Sequence, residues 1–379
     1  VKSKLPSTGT TIFATMSQLA AEYNAINLSQ GFPNYSSDKK LFDLVYAYMQ
    51  KGYNQYAPLH GVAELRAAIA QKIERLYRQT IDSNQEICIT AGATQAVFTA
   101  IQTLVEQGDE VLIFDPSFDI YSPDVVLAGG IPKRIALSYP DFIIDWDTIQ
   151  TLITEKTKLI ILNTPNNPTG KSLTPADILG IENLLSQFPS LYLLSDEVYE
   201  HLVFDGILHP SILRYPNLYQ RSIVTFSFGK TFHNTGWKVG YAVAPPKLMR
   251  EFKKIHQFVV FSVNTPVQYA LADYLNEVHH YLELPEIYQT KRDFFLSAIS
   301  NSKFKFIPAE GTYFQLLDYS GISNENDIDF AIHLTKKIGV ATIPISPFYE
   351  KKMEQKLLRL CFAKTNDVLE QAAEKLCRI

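Results

Sequence analysis

Cysteine is scarce in this chain of 379 residues. Cys88, Cys361 and Cys377 are the only three, too few and too scattered for a disulfide framework, which points to a reducing, cytoplasmic setting. No Cys-x-x-Cys or His-Glu-x-x-His pattern occurs. The adjacent His279 and His280 are expected to point in different directions on a helix, so no metal site is expected. No apolar run approaches the roughly 18 residues that span a bilayer. The segment VKSKLPSTGTTIFATM has no apolar signal-peptide core, so no membrane partner is expected. An excess of basic charge is also missing. The net charge is −4 with mixed signs, which excludes the basic footprint of a nucleic-acid binder. Internal repeats and low-complexity segments are absent. What remains is ordinary globular composition, 46% hydrophobic and 20% charged, at a length that fits two domains or one large one.

The phosphate-loop signature is incomplete in both places where it begins. A Walker-type loop needs a glycine five positions before the Gly-Lys pair, because that glycine starts the backbone wrap around the phosphates. Gly229-Lys230-Thr231 has Val224 there, and Gly170-Lys171-Ser172 has Pro165. A P-loop protein is therefore disfavoured. The turn Ala91-Gly92-Ala93-Thr94 is not Gly-x-Gly-x-x-Gly either, which disfavours a dinucleotide fold.

Between about residues 85 and 245 short apolar runs alternate with helical patterns. EICIT (86–90), EVLIF (110–114), KLIILN (158–163), LYLLS (191–195) and SIVTFSF (222–228) read as buried strands of a largely parallel sheet covered by helices. Thr174-Pro175 signals the start of one of those helices. From about residue 283 the pattern changes: a long helix, FKFIPA, TYFQLLDY, a helix over IDFAIHLTKKI, VATIPI, KLLRLCFA and a final helix. The expected architecture is α/β, with a large domain (41–282), a smaller α+β domain (283–379), and an N-terminal arm (1–40) packing on the small domain.

In open α/β sheets ligands collect beyond the carboxyl ends of the strands. Small residues follow the first run, where backbone N–H groups and a helix dipole favour an anion. Phe118 follows the second, where core packing competes as an explanation. Thr164-Pro165-Asn166-Asn167-Pro168-Thr169-Gly170 follows the third, and also reads as a tight turn. Asp196-Glu197-Val198-Tyr199 follows the fourth; a carboxylate there is costly unless partnered, and a helix cap is the alternative. Gly229 and Lys230 follow the fifth. One ligand explains the set: a phosphate, an aromatic face, a ring nitrogen that benefits from a carboxylate, a phenolic oxygen and an aldehyde that needs a lysine. That ligand is pyridoxal 5′-phosphate.

The segments LSQGFPNY, NQYAPLHG, AGATQA, FDPSFDIY, NTPNNPTG, SDEVYEHLVF, SFGKTFHNTGWKVGY, FSVNTPVQYALADYL, GTYF and LLRLCFAK run through nearly the whole chain. In this order they resemble the pyridoxal-phosphate aminotransferases of fold type I, class I/II, and within them the methionine, kynurenine and glutamine (phenylpyruvate) group. The resemblance implies that Lys230 bonds the cofactor aldehyde and shuttles the substrate Cα proton. It implies that Asp196 pairs with the ring nitrogen, that Tyr199 and Asn167 hydrogen-bond the phenolic oxygen, and that Phe118 stacks on the ring. Gly92, Ala93, Thr94, Ser227 and Lys238 resemble the phosphate cup, with lysine at 238 where many relatives carry arginine. Arg359 matches the arginine that binds the substrate α-carboxylate. Strand alternation puts Arg359 and Cys361 on one face and Leu358, Leu360 and Phe362 on the other. Gly31 and Phe32 resemble residues that close over substrate. Phe261 resembles one that lines the side-chain pocket, together with Phe32, Tyr35 and Phe118. Tyr56 resembles the tyrosine that reaches the phosphate of a partner subunit, which implies a homodimer with shared sites. Ser117, His233 and Asn234 lie where relatives vary. The implied reaction is ping-pong exchange of an amino group between an L-amino acid and a 2-oxo acid. A carbon–sulfur β-lyase on the same scaffold also begins at the Cα proton and stays open.

Overall fold

All five apolar runs form strands, and further strands join them. The computed structural model describes residues 1–6, 8–351 and 353–379. In chain order its strands are β1 (Ile26–Asn27), β2 (Ile87–Thr90), β3 (Glu110–Asp115), β4 (Ile131–Ala136), β5 (Thr157–Asn163), β6 (Tyr192–Asp196), β7 (Ser222–Ser227), β8 (Gly240–Val243), β9 (Phe314–Asp318), β10 (Val340–Ala341), β11 (Ile343–Pro344) and β12 (Leu357–Cys361). Strands β2 to β8 form one sheet in the order β2-β8-β7-β6-β5-β3-β4. Its pairings are parallel except those of β8, which runs antiparallel to both β2 and β7.

The runs are continuously apolar because both sheet faces are covered. Leu159 and Ile161 of β5 belong to one core, with Val111, Ile113, Leu194 and Ile223. Ile160 and Leu162 point the other way into a second core, with Leu112, Phe114, Leu193 and Val224. A side-chain period of two deals each strand's residues alternately to the two layers. The helix Gly92–Leu104 packs on the first layer and the helix Ala63–Tyr77 on the second. The helix Pro175–Gln187 starts where Thr174 was expected to start it. Thr174 and Asp177 cap each other's backbone reciprocally there, which satisfies two otherwise unpaired donors.

Strands β4 and β8 have no counterpart among the predicted runs. β4 is a half-exposed edge carrying Pro132, Lys133 and Arg134, residues that protect an edge but hide a strand signal. β8 is only four residues and begins at Gly240. FKFIPA, which follows the long helix, makes one isolated bridge between Lys305 and Asp318.

Beyond residue 283 the helix Leu284–Ala298 packs against the helix Asn366–Leu376, and a three-stranded antiparallel sheet forms in the order β11-β12-β9. The N-terminal segment contributes the helix Ile12–Glu22 and β1, which pairs in parallel with β10. Among the described residues no helix is long and apolar enough to cross a membrane.

Candidate active site

Strand register brings the site together. Asp196 at the end of β6 lies beside Asn163 of β5 and Thr225 of β7. Ser227 at the end of β7 pairs with Gly240, and Gly240 with Thr90, so the turns after β2 and β7 meet at the start of β8. A cavity of about 300 Å³ opens at this edge. Gly92, Ala93, Thr94, Phe118, Asn167, Asp196, Tyr199, Ser227, Lys230 and Lys238 line it, and Gly31, Phe32 and Arg359 join from the arm and from β12.

One end is built for an anion. The helix Gly92–Leu104 begins with no side-chain cap, which leaves its first N–H groups without a side-chain partner. Gly92 has φ +76°, and a Cβ there would lie 3.3 Å from both Cε and Nζ of Lys238. The Lys238 ammonium therefore lies directly against the uncapped turn. A Cβ on Gly240 would meet the Phe226 carbonyl oxygen at 2.5 Å and the Ala93 nitrogen at 2.8 Å, so only glycine lets the two turns close up.

The floor is a buried carboxyl. Asp196 is 4% exposed, accepts a hydrogen bond from the Tyr121 hydroxyl at 2.7 Å and faces Thr225 Oγ1 at 3.4 Å. Burial pushes its pKa up to about 6, against these hydrogen bonds. The alternative reading of Asp196 as a helix cap does not hold, because no helix follows it. Tyr199 is also buried, and burial raises its phenol above the ordinary value.

Two cations complete the arrangement, Lys230 partly buried and Arg359 fully so. Lys230 Nζ donates to the Tyr313 hydroxyl at 2.8 Å and to the Gly31 carbonyl at 3.2 Å. Burial lowers its pKa to about 8, with Arg359 and Lys238 adding to the effect and Asp196 opposing it. Arg359 is 1% exposed, which removes the reading of an outward-facing strand arginine. It donates through Nη1 to Asn167 Oδ1 at 2.7 Å and through Nη2 to the Ser29 carbonyl at 3.0 Å, and it lies 3.8 Å from the centre of the Phe314 ring. Its Nε is buried without a hydrogen-bond partner. Burial lowers even this guanidinium, to about 10.

Some expected neighbours are elsewhere. Tyr56 is 83% exposed and Phe261 is 43% exposed. Their rings meet edge-on at 5.4 Å, away from this chain's cavity. Tyr35 packs edge-on against His233 at 5.2 Å instead of lining the cavity. His279 and His280 do not diverge as expected: their rings are 4.1 Å apart, near Glu277, because the helix holding them is only four residues long. Glu277 is already paired with Lys40. Conversely, Tyr121, Asn163, Thr225 and Tyr313 take part without having been singled out. Tyr121 and Tyr313 lie within FDPSFDIY and GTYF, but a buried tyrosine inside an aromatic-rich run looks like core until its hydroxyl partner is seen.

The model for aminotransferase class I and II matches residues 23–376. The chain belongs to the class I and II aminotransferase family. It is 49% identical to the methionine aminotransferase of Escherichia coli (strain K12) over 99% of this chain and 97% of that one. It is 33% identical to a kynurenine–oxoglutarate transaminase of Dictyostelium discoideum over 98% and 94%. The crystal structure of Escherichia coli YbdL, reported with a methionine aminotransferase function, superposes with a TM-score of 0.98 at 48% identity, covering 100% and 99% of the two chains. The Thermus thermophilus aspartate aminotransferase with maleate superposes with a TM-score of 0.90 at 26% identity, covering 100% and 99%.

The protein is therefore an aminotransferase, with the α/β fold of that family. Within it, the cavity offers an anion-binding turn at one end, a carboxyl beneath, an amine of lowered basicity at one side and a guanidinium opposite. Among the described residues lining it, the cations are Lys230, Lys238 and Arg359.

Proposed function

We propose that this aminotransferase uses pyridoxal 5′-phosphate and prefers methionine, aromatic amino acids, glutamine or kynurenine as donors to a 2-oxo acid, by a ping-pong mechanism. One observation carries the reading. Arg359, buried, and Lys230, partly buried, are cations in one cavity, and their hydrogen bonds go to Tyr313, Gly31, Asn167 and Ser29 instead of to a carboxylate. Such groups are costly to keep unless a ligand takes them up. The orphaned Nε of Arg359 and the Gly92 cradle against Lys238 both fit this cofactor and an amino acid.

Gly92, Ala93, Thr94, Ser227 and Lys238 would hold the phosphate. Asp196 would pair with the ring nitrogen, Tyr199 and Asn167 with the phenolic oxygen, and Phe118 with the ring face. Bound there, pyridoxal phosphate supplies an electron-poor ring that takes up the electron pair left when a substrate Cα loses its proton. Asp196 would keep the ring nitrogen protonated, and that cation would in turn bring the carboxyl's pKa back down. Lys230 Nζ carries the Cα proton. With a pKa of about 8 rather than 10.5, about a tenth of the amine is neutral at pH 7, against well under a thousandth unperturbed. Arg359 clamps the α-carboxylate, where a planar fork suits two oxygens. Gly31 and Phe32 close over the substrate.

Phe32 and Phe118 give the cavity an aromatic lining, and among the described residues no second guanidinium lines it to meet a side-chain carboxylate. That supports a bulky, weakly polar side chain over aspartate. The exposed Tyr56 and Phe261, paired away from their own cavity, fit a homodimer in which both serve the partner's site. The free cysteines fit the cytoplasm. We also propose the division into an arm (1–40), a large domain (41–282) and a small domain (283–379). The test is turnover of methionine with and without a 2-oxo acid. The reading expects one amino group gained by the acceptor for each donor consumed. Release of ammonia without an acceptor would instead assign a β-lyase.

A further inference from the structure

Four consecutive carbonyls of the arm are held by side chains, Arg359 and Lys230 from the cavity lining and Tyr313 and Lys364 from beside it. The Ser29 carbonyl accepts from Arg359 at 3.0 Å, and the Gln30 and Phe32 carbonyls accept from Lys364 at 3.4 and 2.8 Å. The Gly31 carbonyl accepts twice, from Lys230 at 3.2 Å and from the Tyr313 hydroxyl at 2.5 Å. Tyr313 is fully buried, and its hydroxyl accepts from Lys230 Nζ at 2.8 Å. Its single proton is committed to Gly31, so its lone pairs are what face the amine. A Cβ at position 31 would lie 2.7 Å from the Phe314 ring, so only glycine lets the chain pass this close. The free amine, the tyrosine hydroxyl and the arm thus form one closed triangle.

We infer that Tyr313 is the dock for the Lys230 amine whenever that amine is not bonded to cofactor, and that it ties the position of the amine to the closed arm. This rests on the reading of Lys230 as the covalent and proton-carrying lysine. In each half-reaction that lysine is set free and must then lie still while it carries a proton. A long, flexible side chain loses rate if it wanders by an ångström. A hydroxyl that accepts from the amine fixes it without neutralising it, whereas a carboxylate in the same place would hold it permanently protonated. Because the same hydroxyl donates to Gly31, the docked amine is best held when the arm is closed over the substrate.

The test is Tyr313→Phe, which keeps the ring packed on Tyr199 and Phe314 and removes only the hydroxyl. In the cofactor-free full chain, trinitrobenzenesulfonate labelling of Lys230 is followed against pH by peptide mass spectrometry. Losing an acceptor disfavours the charged amine, so the labelling midpoint should fall and the rate at pH 7 should rise about threefold or more. Amide exchange across residues 29–32 should quicken. In the loaded enzyme kcat should fall about tenfold or more while KM changes little. An unmoved labelling midpoint would overturn the proposal, even if exchange in the arm rises, because a purely structural tyrosine would loosen the arm without touching the amine. Borohydride reduction separates the two ideas. Label on Lys230 in both proteins with an unmoved midpoint rejects the dock alone, and label on a different lysine rejects the lysine assignment on which it rests.

Discussion

Replacing Lys230 by methionine should make the cofactor-free protein more stable at neutral pH. Burial drops the lysine pKa from 10.5 to about 8, and at about 1.36 kcal/mol per unit this is roughly 3 kcal/mol of penalty for carrying the proton in the folded state. The side chain borders the water of the cavity, and methionine gives up the donor to Tyr313 and Gly31, so we expect a net gain of about 2 kcal/mol at pH 7. The sign follows from linkage. The unfolded chain binds this proton up to about pH 10.5 and the folded chain only up to about pH 8. Stability therefore rises with pH across that window, because the unfolded state holds more protons there. The penalty is complete below pH 8 and gone above pH 10.5. The assay is urea denaturation of both cofactor-free proteins at several pH values. The stability difference should be largest at pH 7 and shrink towards pH 10.5, the wild type gaining on the variant. A variant less stable than wild type at pH 7, or a difference that does not change between pH 8 and 10.5, would refute the reasoning.

Three further outcomes follow from the same geometry. Asp196→Asn keeps the size and the Tyr121 contact but removes the charge, so half-reaction rates should fall about a hundredfold, roughly 2.7 kcal/mol of transition-state stabilisation; near-normal stopped-flow rates would count against its role. Arg359→Lys replaces a bidentate fork with a point charge and should raise KM for every amino acid about tenfold or more, with the order of preference among donors unchanged; a changed order in steady-state assays would move Arg359 to the side-chain pocket. Lys230→Ala and Tyr56→Ala, each impaired alone, should regain about a quarter of wild-type sites when refolded together, since a mixed dimer concentrates both defects in one site; activity no higher than the parental average would place Tyr56 in its own chain's site.

What could be read from the sequence was what local pattern controls. The runs around Ile160, Leu193 and Val224 are apolar on both faces, so their burial shows without a structure, and the groups just beyond them follow from chain direction. Edge strand β4 was hidden because Lys133 is exposed and Arg134 is there to pair with Asp115, so neither adds an apolar period, and β8 because four residues carry no period. The residues that hold the site's own side chains depended on register. Thr225 reaches Asp196 only because β6 and β7 pair as they do, and Tyr121 reaches it across 75 positions of sequence. Tyr313 needed its two partners, Lys230 and Gly31, to be seen together before its hydroxyl could be told from its ring. The two histidines at 279 and 280 failed for a simple reason: the expectation assumed a regular helix, and theirs ends after one turn.

The central claim is that the Lys230 amine is the group that joins the cofactor. Borohydride reduction of the holoenzyme followed by peptide mass spectrometry tests it directly. The account predicts a single labelled peptide with the cofactor mass on Lys230. A label on Lys238, 3.3 Å from where a Gly92 Cβ would stand, or on any other lysine, would contradict it.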